Sequence, residues 1–132
     1  PLLDRIDLHI SVEPIETDTL FHDSNAETSQ SVRERVEAAR ELQRRRFKDS
    51  RVTCNAELHA GNVRDAANAT APAIKALRTA VESMSLSGRG HDRILKIART
   101  VADLDKSRNV QLSHIAEALA YRPRNVEYQG AA

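Results

Sequence analysis

The spacing of hydrophobic positions changes near residue 30. Over residues 6 to 13, IDLHISVE, the apolar Ile6, Leu8, Ile10 and Val12 alternate with Asp7, His9, Ser11 and Glu13. That is the period-two pattern of a half-buried strand. A lone strand leaves its own backbone groups unsatisfied, so the pattern predicts a sheet supplied by another part of the polypeptide. The next stretch, PIETDTLFHDSNAETSQ, lacks a period and is rich in Thr, Ser, Asp and Glu, which predicts loop or linker.

From Ser31 the spacing becomes helical. SVRE has the form of a capping box, with Ser31 as N-cap and Glu34 reaching back. It predicts a helix to about Phe47 with Val32, Val36, Ala39 and Phe47 along one side. Residues 50 to 70, with Gly61 and scattered Asn, predict a loop holding a short helix near Val63 to Asn68. Pro72 suits a first helical turn, where its fixed φ is helical and its missing N–H is not needed. Ile74, Leu77, Val81 and Met84 follow at steps of three and four, a stripe expected to enter the core. Ser87 predicts the cap of a helix over about Gly88 to Lys106, with Ile94, Ile97, Ala98, Val101 and Leu104 on its buried side. A last helix, Leu112 to Tyr121, offers Leu112, Ile115, Ala116 and Leu119, and Pro123 ends it. The expected fold class is therefore mainly α, a small bundle of about four helices with an N-terminal orphan strand or extended segment. It divides into residues 1–30, extended and mobile, a helical domain over 31–122, and a flexible tail over 123–132.

Composition narrows the chemistry. A chain of 132 residues suits one domain, and with 3% aromatics and no Trp its core must be thin and aliphatic. The net charge of +1 excludes a uniformly basic nucleic-acid binder but leaves room for local patches. Cys54 is the only cysteine, which excludes an internal disulfide, and it reads as an inert thiol. With no apolar run of membrane length, the expected setting is reducing and cytoplasmic, without a membrane partner. His9, His22, His59, His91 and His114 show no ligand spacing, so no metal site is expected, and the helical His91 and His114 read as polar-face or boundary residues. Asp103 and Asp105 are two apart and do not face each other on a helix.

The most pointed stretch is SGRGHDRILKIART, residues 87–100, in which Arg89, Arg93 and Lys96 fall at helical steps. A helix start exposes N–H groups and the positive end of the macrodipole. Gly88 and Gly90 would keep side chains away from an approaching ligand, and Arg89 and Arg93 would offer forked hydrogen bonds to a phosphate. In the competing reading the glycines belong to the preceding turn and the arginines coat a solvated face. A second basic row, Arg33, Arg40 and Arg44, lies nearly in line on the first long helix and would suit nucleic-acid phosphates. Glu34, Glu37 and Glu41 on the same helix make a mixed-charge solvated face the alternative.

SLSGRGHDRILKIARTVADLDKSRNVQLSHIAEALAYR resembles the C-terminal helical lid of the magnesium chelatase-like AAA+ ATPases, the ComM/YifB group. PLLDRIDLHISV resembles the last stretch of that family's ATPase core, and SVRERVEAARELQRRR the helix after it. NAELHAGNVRDAANATAP departs from the family pattern. The resemblance implies that residues 1–30 are a remnant of the AAA+ core and that Arg89 is the sensor 2 arginine, reaching the γ-phosphate of ATP. It also implies that Arg5, in LLDRID, is the catalytic arginine finger, acting on a neighbouring subunit. ATP and Mg²⁺ are then the cofactors of the full-length protein, and the partners are its own AAA+ core, further copies in a homo-hexamer, and DNA. No G-x-x-x-x-G-K-[ST] occurs in the sequence. This chain alone is therefore expected to be no enzyme and to bind no nucleotide tightly, as the carboxy-terminal third of a larger ATPase. The expected function is nucleotide sensing coupled to remodelling of DNA or protein. The alternative is a small helical nucleic-acid-binding or adaptor module.

Overall fold

Caps decide where the helices of this chain begin. The computed structural model describes residues 6–14 and 27–122. Helix α1, Ser29–Arg46, starts before the predicted cap: its N-cap is Thr28, whose hydroxyl accepts from the Ser31 amide at 3.2 Å. Ser31 is already helical, and its hydroxyl donates to Glu27 at 2.7 Å. Glu34 accepts from the Gln30 side chain at 2.8 Å in place of reaching back to Ser31. Val32 and Val36 are exposed, and burial begins only at Ala39, Gln43 and Phe47. The first half of α1 thus carries its apolar side chains into solvent.

A 3₁₀ turn at Asn55–Glu57 leads to α2, Ala60–Ala67. Gly61 lies inside α2, and the helix ends at Asn68, which adopts the left-handed conformation with φ 46° and returns its amide to Arg64 and Asp65. Helix α3, Ala71–Ser83, has Pro72 in its first turn as expected. Its buried side is Ala73, Leu77 and Ala80, whereas Ile74 is 52% exposed and Met84 is also exposed; the predicted stripe is rotated, because small alanines make the closest approach. Helix α4, Gly88–Leu104, is capped by Ser87, whose hydroxyl accepts from the Gly90 amide at 3.2 Å. Helix α5, Leu112–Ala120, completes the bundle. The buried His114 accepts at Nδ1 from the Gln111 amide at 3.0 Å and meets Asp105 through Nε2 at 3.1 Å.

Helix α4 is the hub, packing on α1, the 3₁₀ turn, α2 and α5, while α3 packs on α5. Ile94, Leu95, Ala98 and Ala102 of α4 meet Val63, Leu77, Val110 and Ile115, with Phe47 the one aromatic of the core among the described residues. A parallel bridge between Ala69 and Val110 ties the α2–α3 turn to the entry of α5. The interior is also polar, which the periodicity of α4 did not predict. Arg99 and Asp103 are both fully buried, and Leu104, expected inside, is exposed. Relative to the predicted stripe, the buried face of α4 is turned by about a quarter of a revolution toward Leu95, Ala102 and Arg99.

Residues 6–14, predicted as an orphan strand or extended segment, pair with no other strand among the described residues, which contain none. Ile6, Leu8, Ile10 and Val12 are exposed, Val12 to 89%. Arg5, the rest of the predicted 1–30 segment at residues 1–5 and 15–26, and the predicted tail at 123–132 lie outside the described residues.

Candidate functional site

Arg89, Arg93, Lys96 and Thr100 form the strip of α4 that the sequence singled out, and the structure treats them unequally. Thr100 accepts from the Asn55 side chain at 3.0 Å. Lys96 donates to the Ala56 carbonyl at 2.9 Å. Arg93 pairs with Asp7 at 2.7 Å and keeps only 19% of its side chain exposed. Arg89 is exposed and makes no hydrogen bond or ion pair among the described residues. It also sits in the first turn of the helix. There the Gly90 amide is satisfied by Ser87, while the amides of Gly88 and Arg89 have no acceptor among the described residues. Among the described residues, N–H groups without acceptors, the positive helix end and a guanidinium without a partner lie together, a combination whose charge favours an anion.

The two glycines differ. Nothing lies within 4 Å of where a Gly88 Cβ would stand, so the turn is open on that side. Gly90 is buried, and a Cβ there would meet the Arg122 guanidinium at 3.1 Å. Gly90 therefore makes room for Arg122, an internal neighbour the sequence did not suggest. A concavity of about 540 Å³ opens against the helix start, formed by Leu86, Ser87 and Gly88 and flanked by Arg64 and His91. Arg89 does not line this concavity but is itself exposed to solvent. His91 is held by Asp92 at 2.9 Å.

The second basic row is less coherent. Arg33 and Arg40 are exposed on α1, but Arg44 is engaged by Glu41 at 2.8 Å, and Glu41 also takes Arg45 at 2.9 Å. Those two arginines hold the Glu41 carboxyl below its usual range. Among the described residues no group of three or more His, Cys, Asp or Glu side chains is placed to hold a metal ion, and no helix is long and apolar enough to cross a membrane.

Asp7 and Arg122 are the residues near this site that the sequence did not flag. Asp7 carried the polar phase of a strand pattern, and Arg122 followed the last helix. Neither has a local signal, because each is brought to α4 by tertiary packing alone.

Comparison with known proteins follows the same boundaries. The family model described as "Magnesium chelatase, subunit ChlI C-terminal" matches residues 26–122. The competence protein ComM of Haemophilus influenzae is 36% identical over 123 residues, covering 92% of this chain and 23% of its own length. An uncharacterized protein of Mycobacterium tuberculosis H37Rv is 34% identical over 122 residues, 92% of this chain and 24% of its own. The uncharacterized protein YifB of Salmonella typhimurium is 33% identical over 124 residues, again 92% and 24%. The chain thus spans about a quarter of the length of the curated relatives it matches.

Proposed function

Because the chain belongs to the magnesium chelatase subunit ChlI C-terminal family, we propose that it serves as the helical lid of an AAA+ ATPase and senses bound nucleotide through Arg89. The observation that carries this reading is the exposed Arg89 at an open helix start, where neither its guanidinium nor two neighbouring amides find a partner among the described residues. A guanidinium so placed can reach a triphosphate held by a separate core, while the helix N–H groups favour its negative charge. In the same reading Arg5 acts as the finger toward a neighbouring subunit, and ATP with Mg²⁺ binds mainly at the core. The exposed apolar residues of the 6–14 segment belong against that core's sheet. The hydrolysis this lid senses drives remodelling of DNA or protein in a homo-hexamer.

Two measurements test the proposal. In the full-length protein, Arg89→Ala lowers kcat by about 100-fold, the usual cost of removing one preorganised charge donor from a transition state, while circular dichroism shows the bundle folded. Unchanged turnover removes Arg89 from the site. In this chain alone, calorimetry finds ATP binding no tighter than millimolar, since one arginine does not replace a phosphate loop. Low-micromolar binding contradicts a lid that borrows its nucleotide.

A further inference from the structure

The segment of residues 6–14 meets the bundle in an unexpected orientation. Successive side chains of extended backbone point to opposite sides, and here two residues of the polar phase, the exposed Asp7 and the half-buried His9, are the ones that contact the bundle. Asp7 reaches Arg93 at 2.7 Å, and His9 is half-buried with its ring Nε2 out of solvent. The His9 amide donates to the Tyr121 carbonyl at 2.8 Å. The apolar phase, Ile6 to Val12, faces away. One backbone bond and one ion pair therefore dock the segment where the end of α5 meets the start of α4. Arg93 lies one helical turn after Arg89, and Arg122, next to Tyr121, rests over Gly90 in the first turn of α4. Of these, the Arg122 approach lies in the turn that carries the candidate sensor, and the Asp7–Arg93 pair lies one turn beyond it.

We propose that Asp7 and Arg93 form a latch that fixes the orientation of the Arg89 turn relative to the polypeptide leading into residue 6. Arg93 is then a positioning residue, and the phosphate-contact role that its spacing suggested passes to Arg89 alone. The Arg93 side chain is largely covered while Asp7 stays 61% exposed, so the pair is partly screened by solvent, less than a pair with both partners open. Arg5 precedes Asp7 by two residues, a tether of at most about 7 Å. A latch at Asp7 therefore couples, through one ion pair, the chain bearing the candidate finger to the helix bearing the candidate sensor. This rests on the lid reading above, but the contact itself does not.

Hydrogen exchange and steady-state kinetics on the full-length protein test it together. Asp7→Asn and Arg93→Gln each speed amide exchange in the peptide spanning residues 6–14 by about tenfold, the loss of one charge-assisted bond, with the melting temperature of the bundle unchanged. Each lowers kcat with KM retained, and neither lowers it further in an Arg89→Ala background. The charge swap, Asp7→Arg with Arg93→Asp, restores slow exchange and kcat. Unaltered exchange in the single variants, or a swap that restores neither property, overturns the latch. Faster exchange with an unchanged kcat overturns its positioning role. If Arg89→Ala proves silent while the single variants and the swap still change exchange and kcat as described, the latch holds and only the sensor assignment is lost.

Discussion

Asp103→Asn is expected to destabilise the bundle by about 3–5 kcal/mol, the cost of removing one partner from a buried ionic cluster. Against a typical domain stability of about 5–15 kcal/mol, that leaves a marginal fold. The carboxylate has two cationic partners. Arg46, from the end of α1, donates to both of its oxygens, and Arg99 of the same helix lies at 3.0 Å. Asn55 of the 3₁₀ turn donates to it at 2.9 Å. Arg99 in turn donates to the carbonyls of Ala67 at 3.2 Å, Ser107 at 2.6 Å and Arg108 at 3.0 Å. One acidic group thus joins α1, α4 and the 3₁₀ turn, and through Arg99 the end of α2 and the loop after α4. An amide in its place keeps an acceptor but leaves two guanidinium groups without a counter-charge. Urea denaturation checks the loss; an unshifted midpoint would mean that Arg46 swings out to solvent at little cost.

The same site sets a pH signature. Burial alone would raise the Asp103 carboxyl, but hydrogen bonds from Arg46 and Asn55 and the charges of Arg99 and Arg46 outweigh it and hold the carboxyl below its usual range. Burial pushes Arg99 below its usual value, and Asp103 opposes that shift. With the folded pKa of Asp103 depressed, its contribution is complete above the unfolded value of about 3.9 and is lost as pH falls through the folded one. Wild-type stability therefore declines below about pH 4, and Asp103→Asn shows a flatter acid limb from a lower plateau.

The helices were legible because their signals are local. Ser87 and Pro72 act within one turn of themselves, so α4 and α3 begin where the chain says they do. Thr28 and Ser31 are both competent caps three residues apart, and the choice between them is made by where Glu27 finds partners: it accepts from Ser31 and pairs with Arg35 at 2.9 Å. What periodicity misread were polar residues with buried partners. Arg99 and Asp103 stand four apart on the side of Leu95 and Ala102, a pairing visible in the sequence once those two apolar residues are counted with the stripe. His114 gave no such hint, since its burial depends on the Gln111 amide and on Asp105 from the preceding loop. The apolar side chains of residues 6–13 find no cover among the described residues, and alternation alone does not say whether such cover comes from this bundle or from elsewhere. At the candidate site, Arg89 was legible through its helix start, whereas its surroundings, Asp7 on Arg93 and Arg122 over Gly90, come from contacts distant in sequence.

Arg5→Ala in the full-length protein is expected to lower kcat by about 10³-fold or more, the range for removing an arginine finger, or about 4 kcal/mol of transition-state stabilisation. The bundle is expected to stay folded, because its helices begin at Ser29. The effect has a signature that distinguishes a finger from a residue of the subunit's own site. A subunit carrying Arg5→Ala retains its phosphate loop, and a subunit with a disabled phosphate loop retains its Arg5. Mixed in one ring, each supplies what the other's interface lacks, so turnover returns at the interfaces where an intact loop faces an intact arginine. The recovery rises with the fraction of mixed neighbours and is absent from either variant alone. The proposed sensor predicts the opposite: if Arg89 contacts the nucleotide of its own subunit, mixing Arg89→Ala with loop-disabled subunits restores nothing. Mixed rings that stay inactive while subunit exchange proceeds would remove the in-trans assignment of Arg5. Full turnover of the single Arg5→Ala variant would remove its catalytic role.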